Sequence, residues 1–171
     1  MRGYPDYPAL VAALKRCWPT LSICCIGMDD REIIGGVVDR TGIALADALA
    51  LIKRARLLIT TDTMAFHAAA CFDTPTVALW TATSAVKSAC PRFHATATLV
   101  GRDDLECRKD CYARRCRFNR CEDWACQRIP VADIMTVAVG TLDSSIRLTV
   151  PEDIPDDNWI PAGYRAFTEG G

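Results

Sequence analysis

The stretch "RLLITTDTMAFHAAACFDTPTVALW", residues 56–80, decides the fold. It opens with an apolar run that predicts a β-strand, passes through Thr61, Asp62 and Thr63, and then becomes a series of small residues that predicts a helix starting near Met64. The run "TPTVALWT" predicts the next strand. Strand, helix and strand in this order indicate a parallel βαβ unit, because a strand covered on both faces need not alternate apolar and polar residues.

The same alternation continues on both sides of this stretch. Helical spacing of apolar residues appears in "DYPALVAALKRC" (6–17), "ALADALALIKRA" (44–55) and "VADIMTVAVGTL" (131–142), and short apolar strands in "LSICCIG" (21–27), "GGVVDRTG" (35–42) and "ATLVG" (97–101). The sequence therefore predicts an α/β fold, a Rossmann-like parallel sheet with flanking helices, over residues 1–142. The proline-rich and initially acidic residues 143–171 predict an extended tail that lies on the surface or meets a partner.

Composition excludes several functional classes. The chain of 171 residues has a formal net charge of −1, so its overall charge gives no reason to expect a nucleic-acid partner. It has no apolar run near the ~20 residues that span a bilayer, and its first residues lack the apolar core of a signal peptide. We therefore expect a cytoplasmic protein without a transmembrane segment.

A candidate ligand site follows the strand that ends near Thr61. Ligands of open parallel sheets bind beyond the carboxyl ends of the strands, and the start of a helix offers free N–H groups that favour a phosphate. Asp62 can accept hydrogen bonds from sugar hydroxyls, and His67, one turn into the helix, can face the same crevice. The alternative is structural: Asp62 or Thr63 caps the helix and His67 packs in the core.

The stretch 37–83, "VVDRTG" to "TAT", resembles the C-terminal domain of glycosyltransferase family nine, the ADP-heptose:lipopolysaccharide heptosyltransferases. The residues in register with the family pattern are Asp62, Thr63, His67, Ala69, Ala70, Pro75, Val77, Ala78, Leu79 and Thr83. The segment "RGYP" at residues 2–5 is similar to a lysine-containing family segment that contacts donor phosphate. The resemblance covers roughly residues 2–142.

The resemblance implies one half of a GT-B fold, a domain that holds a nucleotide-sugar such as ADP-heptose. It implies donor binding by Arg2 and by the junction residues Thr61, Asp62, Thr63, Met64, Ala65 and His67. In this scheme Asp62 contacts the sugar, and the N–H groups from Thr63 to Ala65 hold the diphosphate. Arg2 replaces the family lysine, and Asp30 or Glu32 takes a ribose hydroxyl.

Two departures from the family pattern leave two functional hypotheses open. Met64 stands where the family has a glycine. A glycine lets a phosphate approach the backbone closely, because it has no Cβ. The family's general base is expected in an N-terminal domain, so the catalytic residue is unknown here. The first hypothesis is the donor-binding domain of a glycosyltransferase, joined to an N-terminal half-domain or another protein chain and active in lipopolysaccharide biosynthesis. The alternative is a degenerate, non-catalytic binding or assembly module.

Ten cysteines form two groups. Five are scattered through mostly apolar context and are expected to act as small buried hydrophobes. The other five lie within residues 107–126: Cys107, Cys111, Cys116, Cys121 and Cys126. The CxxC spacing of a zinc ribbon is missing, so reduced thiols, a disulfide, or a structural zinc or iron held by four of these thiolates all remain open. Cys107, Cys111, Cys116 and Cys126 are the first choice of ligands, with Cys121 as the alternative. Transfer itself is expected to need no cofactor.

Overall fold

The chain folds into parallel β-strands flanked by helices, as seen in a computed structural model that describes residues 3–28, 34–81, 85–105 and 125–142. The elements in chain order are α1 (Tyr7–Cys17), β1 (Cys24–Gly27), β2 (Val38–Thr41), α2 (Leu45–Arg54), β3 (Leu58–Thr61), α3 (Met64–Cys71), β4 (Thr76–Trp80), α4 (Ala85–Ser88), β5 (Ala97–Gly101) and α5 (Val131–Leu142). A short 3-10 helix, Ala125–Gln127, precedes α5. The predicted α/β, Rossmann-like class is confirmed.

The strands form two parallel pieces. β1 pairs with β2, with Cys24 opposite Val38, and β4 lies between β3 and β5, with Leu58 opposite Thr76 and Thr76 opposite Ala97. One piece has the order β1-β2, and the other has the order β3-β4-β5. Ligands of open α/β sheets bind just beyond the carboxyl ends of the strands.

β4 is the centre of the core, and all five of its residues are buried. Val77 and Leu79 belong to the larger apolar cluster, which includes buried residues of α1 and α5, whereas Ala78 and Trp80 pack against Phe66 of α3. Alternate side chains of a strand point to opposite faces of the sheet, so helices cover both faces of β4. This double coverage explains its continuous apolar sequence.

The predicted elements agree closely with those observed, with two exceptions in burial. The apolar face expected for α2 is buried only at Ile52, and Leu45 at its start is 59% exposed. The expectation that the scattered cysteines are mostly buried is wrong. Cys17 and Cys25 are half-buried, and Cys24, Cys71 and Cys90 are exposed. Cys24 and Cys25 lie in β1, whose residues are exposed or half-buried because it belongs to the thin two-stranded piece.

Helix α3, which begins at the candidate site, is fixed at its far end. Its last turn closes through Asp73, whose φ of 54° lies in the left-handed region, and the Thr74 N–H donates to the Ala69 carbonyl at 3.0 Å. The Thr74 hydroxyl donates to the Ile52 carbonyl at 3.0 Å and ties this turn to α2. These contacts hold the helix in place and so position its N-terminus.

Two of the predicted segments cannot be compared with the structure. The tail 143–171 and most of the cysteine segment lie outside the described residues. The domain boundary at 142 therefore stays a prediction. Within the four described ranges, no helix is long and apolar enough to cross a membrane.

Candidate functional site

The candidate site is the junction at which β3 passes into α3. β3 ends at Thr61, whose side chain is buried, and α3 begins at Met64. The predicted donor-binding residues from Thr61 to His67 therefore lie at the carboxyl end of β3 and in the first turns of α3. Arg2, Asp30 and Glu32 lie outside the described residues.

The N-terminus of α3 has no side-chain cap. Thr63 occupies the N-cap position with extended backbone (φ −140°, ψ 175°) and makes no side-chain cap hydrogen bond. Its hydroxyl instead lies 3.1 Å from the Thr60 hydroxyl. The first turn of α3 contains no acidic residue. By helix geometry, the N–H groups of Met64 and Ala65 point out of the N-terminal end of α3 without an intrahelical acceptor, so they can donate to an acceptor such as a phosphate oxygen.

Met64 replaces the glycine of the family pattern without entering the core. Its side chain is 53% exposed. Met64 is the first residue of the helix and has helical backbone, so a methionine here strains no backbone angle. Only its side chain narrows the space through which a phosphate would reach the N-terminus of α3.

Asp62 and His67 lie close to each other at this junction. His67 Nε2 is 4.0 Å from Asp62 Oδ1, and the Asp62 side chain is only 13% exposed, whereas that of His67 is 47% exposed. The alternative in which His67 packs in the core is therefore wrong. The pair offers a sheltered carboxylate and an accessible imidazole on one side of the helix start.

His94 was missed at the sequence level and is the third member of the cluster. His67 Nδ1 is 3.1 Å from His94 Nε2, and the buried His94 ring stacks on Phe66 at 4.1 Å with an interplanar angle of 5°. Burial lowers the pKa of His94, a hydrogen bond that the protonated ring donates to the Cys90 carbonyl opposes that shift, and the neighbouring His67 adds to the lowering. The chain has only two histidines, so composition alone could have marked His94 as a candidate beside His67.

The cysteine segment is described only at its end. Cys107, Cys111, Cys116 and Cys121 lie outside the described residues, and Cys126 is a half-buried thiol in the 3-10 helix. In the part of the chain that is described, His, Cys, Asp and Glu form no group of three or more that could hold a metal ion. The metal hypothesis therefore still depends on sequence spacing.

Comparison with known proteins gives a match to a glycosyltransferase family. Residues 37–120 match the sequence profile of "Glycosyltransferase family 9 (heptosyltransferase)". The match covers just under half of the chain, runs from β2 past β5, and contains the β3–α3 junction and both histidines. No curated protein and no solved structure gives a significant match. The match supports a glycosyltransferase-like function.

Proposed function

We propose that this chain is the donor-binding domain of a glycosyltransferase and that it holds a nucleotide-sugar, such as ADP-heptose, at the β3–α3 junction. The observation that carries the proposal is the uncapped N-terminus of α3, flanked by Asp62 and His67, inside the region that matches family 9. The helix N-terminus, Asp62 and His67 each have a distinct role in this proposal.

The diphosphate is assigned to the helix N-terminus. The N–H groups of Met64 and Ala65 donate to phosphate oxygens, and the positive end of the α3 dipole favours their negative charge. No carboxylate in the first turn of the helix competes for these donors. His67 Nε2 lies on an exposed side chain near the same end of the helix and donates to a phosphate or a sugar oxygen.

The sugar is assigned to Asp62. A carboxylate accepts hydrogen bonds from hydroxyl groups, and the Asp62 side chain remains 13% exposed at the start of the helix, where a ligand hydroxyl can reach it. Its negative charge also disfavours a phosphate directly beside it, so the donor is oriented with its hydroxyls at Asp62 and its phosphates over the start of α3.

Transfer requires an acceptor and a general base, which we assign to an N-terminal half-domain or another protein chain. β3 hydrogen-bonds to β4 on one edge, and its other edge pairs with no strand in the described ranges. A strand of such a partner would extend the sheet along that edge. The product would be a glycan acceptor that carries the transferred sugar, as in lipopolysaccharide biosynthesis.

Isothermal titration calorimetry with ADP and ADP-heptose tests the donor assignment. Replacing Asp62 or His67 by alanine should weaken ADP-heptose binding by about tenfold or more, because each removes a hydrogen bond to a charged or polar group worth about 1.5–3 kcal/mol. Asp47→Ala, an exposed position in α2, is the matched control and should leave the affinity unchanged. Absence of heat at millimolar ADP and ADP-heptose would contradict the proposal. Donor binding without transfer in the presence of acceptor and partner would instead favour the non-catalytic module.

A further inference from the structure

The two histidines of the chain are joined in one hydrogen-bonded series. His94 Nε2 lies 3.1 Å from His67 Nδ1, and the other nitrogen of His67 faces Asp62 at 4.0 Å. His94 is 6% exposed, with Phe66 stacked on one face and the Phe93 ring meeting it edge-on at 4.8 Å. This packing leaves the His94 ring little freedom to turn.

The surroundings of His94 Nδ1 decide where its proton lies. The Cys90 N–H donates to Nδ1 at 3.1 Å, and the Cys90 carbonyl oxygen is also 3.1 Å away. That carbonyl already accepts the N–H groups of Phe93 at 3.0 Å and of His94 at 2.8 Å. A carbonyl oxygen has two lone pairs, so Nδ1 serves better as the acceptor for Cys90. A neutral His94 then carries its proton on Nε2.

The approach of His67 to Asp62 favours the same placement of protons on the two rings. With the proton on His94 Nε2, that group donates to His67 Nδ1, and a neutral His67 carries its own proton on Nε2, toward the Asp62 carboxylate. The opposite arrangement would point a lone pair of His67 at the carboxylate and a proton of His94 at the Cys90 N–H. Both ends therefore select one tautomer.

We propose that His94 is a positioning residue for donor binding: it holds His67 in the tautomer whose Nε2–H points to Asp62 and the ligand crevice. His94 itself is buried and does not reach the donor. The ligand role rests on the proposed function, whereas the tautomer assignment rests on the hydrogen bonds of the two histidines and the approach of His67 to Asp62. His67 thereby acts as a hydrogen-bond donor of fixed orientation beside the N–H groups of α3.

Nitrogen-15 spectra of the imidazole rings test the assignment on the full chain without any ligand. With two histidines in the sequence, only two ring systems appear. At a pH where both rings are neutral, both should show the Nε2–H tautomer. A wild-type spectrum with the His67 proton on Nδ1 would overturn the proposal, and this measurement needs no substitution.

Two variants test the role of His94. His94→Phe keeps an aromatic ring against Phe66 but removes both nitrogens, and His67 should then show a mixture of tautomers. His94→Gln supplies an amide N–H near the position of Nε2 and should restore the Nε2–H form of His67. Amide spectra show whether each variant is folded. A folded His94→Phe with an unchanged His67 tautomer would contradict the positioning role.

Calorimetry with ADP separates this proposal from the proposed function. His94→Phe should weaken ADP binding by about threefold to tenfold, the loss expected when one hydrogen-bond donor is no longer held in place, and His94→Gln should recover most of it. Equal affinity of His94→Phe and wild type would overturn the role in donor binding. If wild type does not bind ADP at all, the proposed function and the ligand role fail together, while the tautomer spectra still decide the hydrogen-bond series.

Discussion

Capping α3 with a carboxylate should weaken ligand binding while leaving the stability of the protein nearly unchanged. Thr63→Asp places an N-cap residue that accepts a hydrogen bond from the first turn, which stabilises helices by about 0.5–2 kcal/mol. The Thr63 hydroxyl makes no such bond and lies instead against the Thr60 hydroxyl. Loss of that contact costs about 1 kcal/mol. We therefore expect the free energy of unfolding to stay within about 1 kcal/mol of wild type.

Ligand binding should respond much more strongly. For a carboxylate at position 63 and a phosphate bound to the N–H groups of Met64 and Ala65, we take a separation on the order of 5 Å. At that distance, and with an effective dielectric constant of about 20–80, the repulsion is about 1–3 kcal/mol. ADP affinity should fall roughly fivefold to 150-fold, and the loss should shrink as salt screens the charges.

Thr63→Asn is the matched control because it can form the same cap without the charge. Calorimetry with ADP should rank affinity as wild type, then the asparagine variant, then the aspartate variant, while urea unfolding shows three comparable stabilities. Equal ADP affinity for the aspartate and asparagine variants, at low salt, would refute the placement of a phosphate at this helix N-terminus.

Three further predictions concern stability and metal content. Leu79→Ala should cost about 2–5 kcal/mol in urea unfolding because Leu79 is fully buried in β4, whereas the exposed Leu45→Ala should cost much less; equal losses would place the core elsewhere. The Tyr4 hydroxyl donates to the Ile129 carbonyl at 2.9 Å, and burial, then Asp6, raises its pKa, so stability should fall as pH rises above about 10; Tyr4→Phe should lose about 1–2 kcal/mol near neutral pH and show a smaller alkaline loss, and an identical alkaline curve would contradict the assignment. Elemental analysis of purified protein should find a stoichiometric zinc or iron if the segment 107–126 holds a structural metal, and less than about a tenth of an equivalent would rule out a stable site.

The sheet and its helices could be predicted well because their signals are local. β5 and α5 have the same bounds in the sequence pattern and in the structure, since an apolar run and a proline before a helix act on adjacent residues. Burial was harder to predict. Leu45 has the spacing of a core residue yet is exposed, because which part of a helix face meets a neighbour depends on packing between distant segments.

The candidate site was predictable in part for the same reason. Asp62, Thr63 and His67 are neighbours in sequence, so a strand followed by a helix already places them together. His94 is 27 residues from His67 and precedes a different strand. Its contact arises only once α3 and the turn before β5 pack on the same face of the sheet, and spacing along one helix carries no such information.

The most direct test of the central claim is an amide nitrogen-15 spectrum of the whole chain titrated with ADP. A diphosphate held by the start of α3 should produce saturable shifts that are largest at Thr63, Met64 and Ala65, and AMP should produce smaller ones. Saturable shifts confined to other parts of the chain, or none at millimolar ADP, would contradict the claim that this junction binds the diphosphate of a nucleotide-sugar.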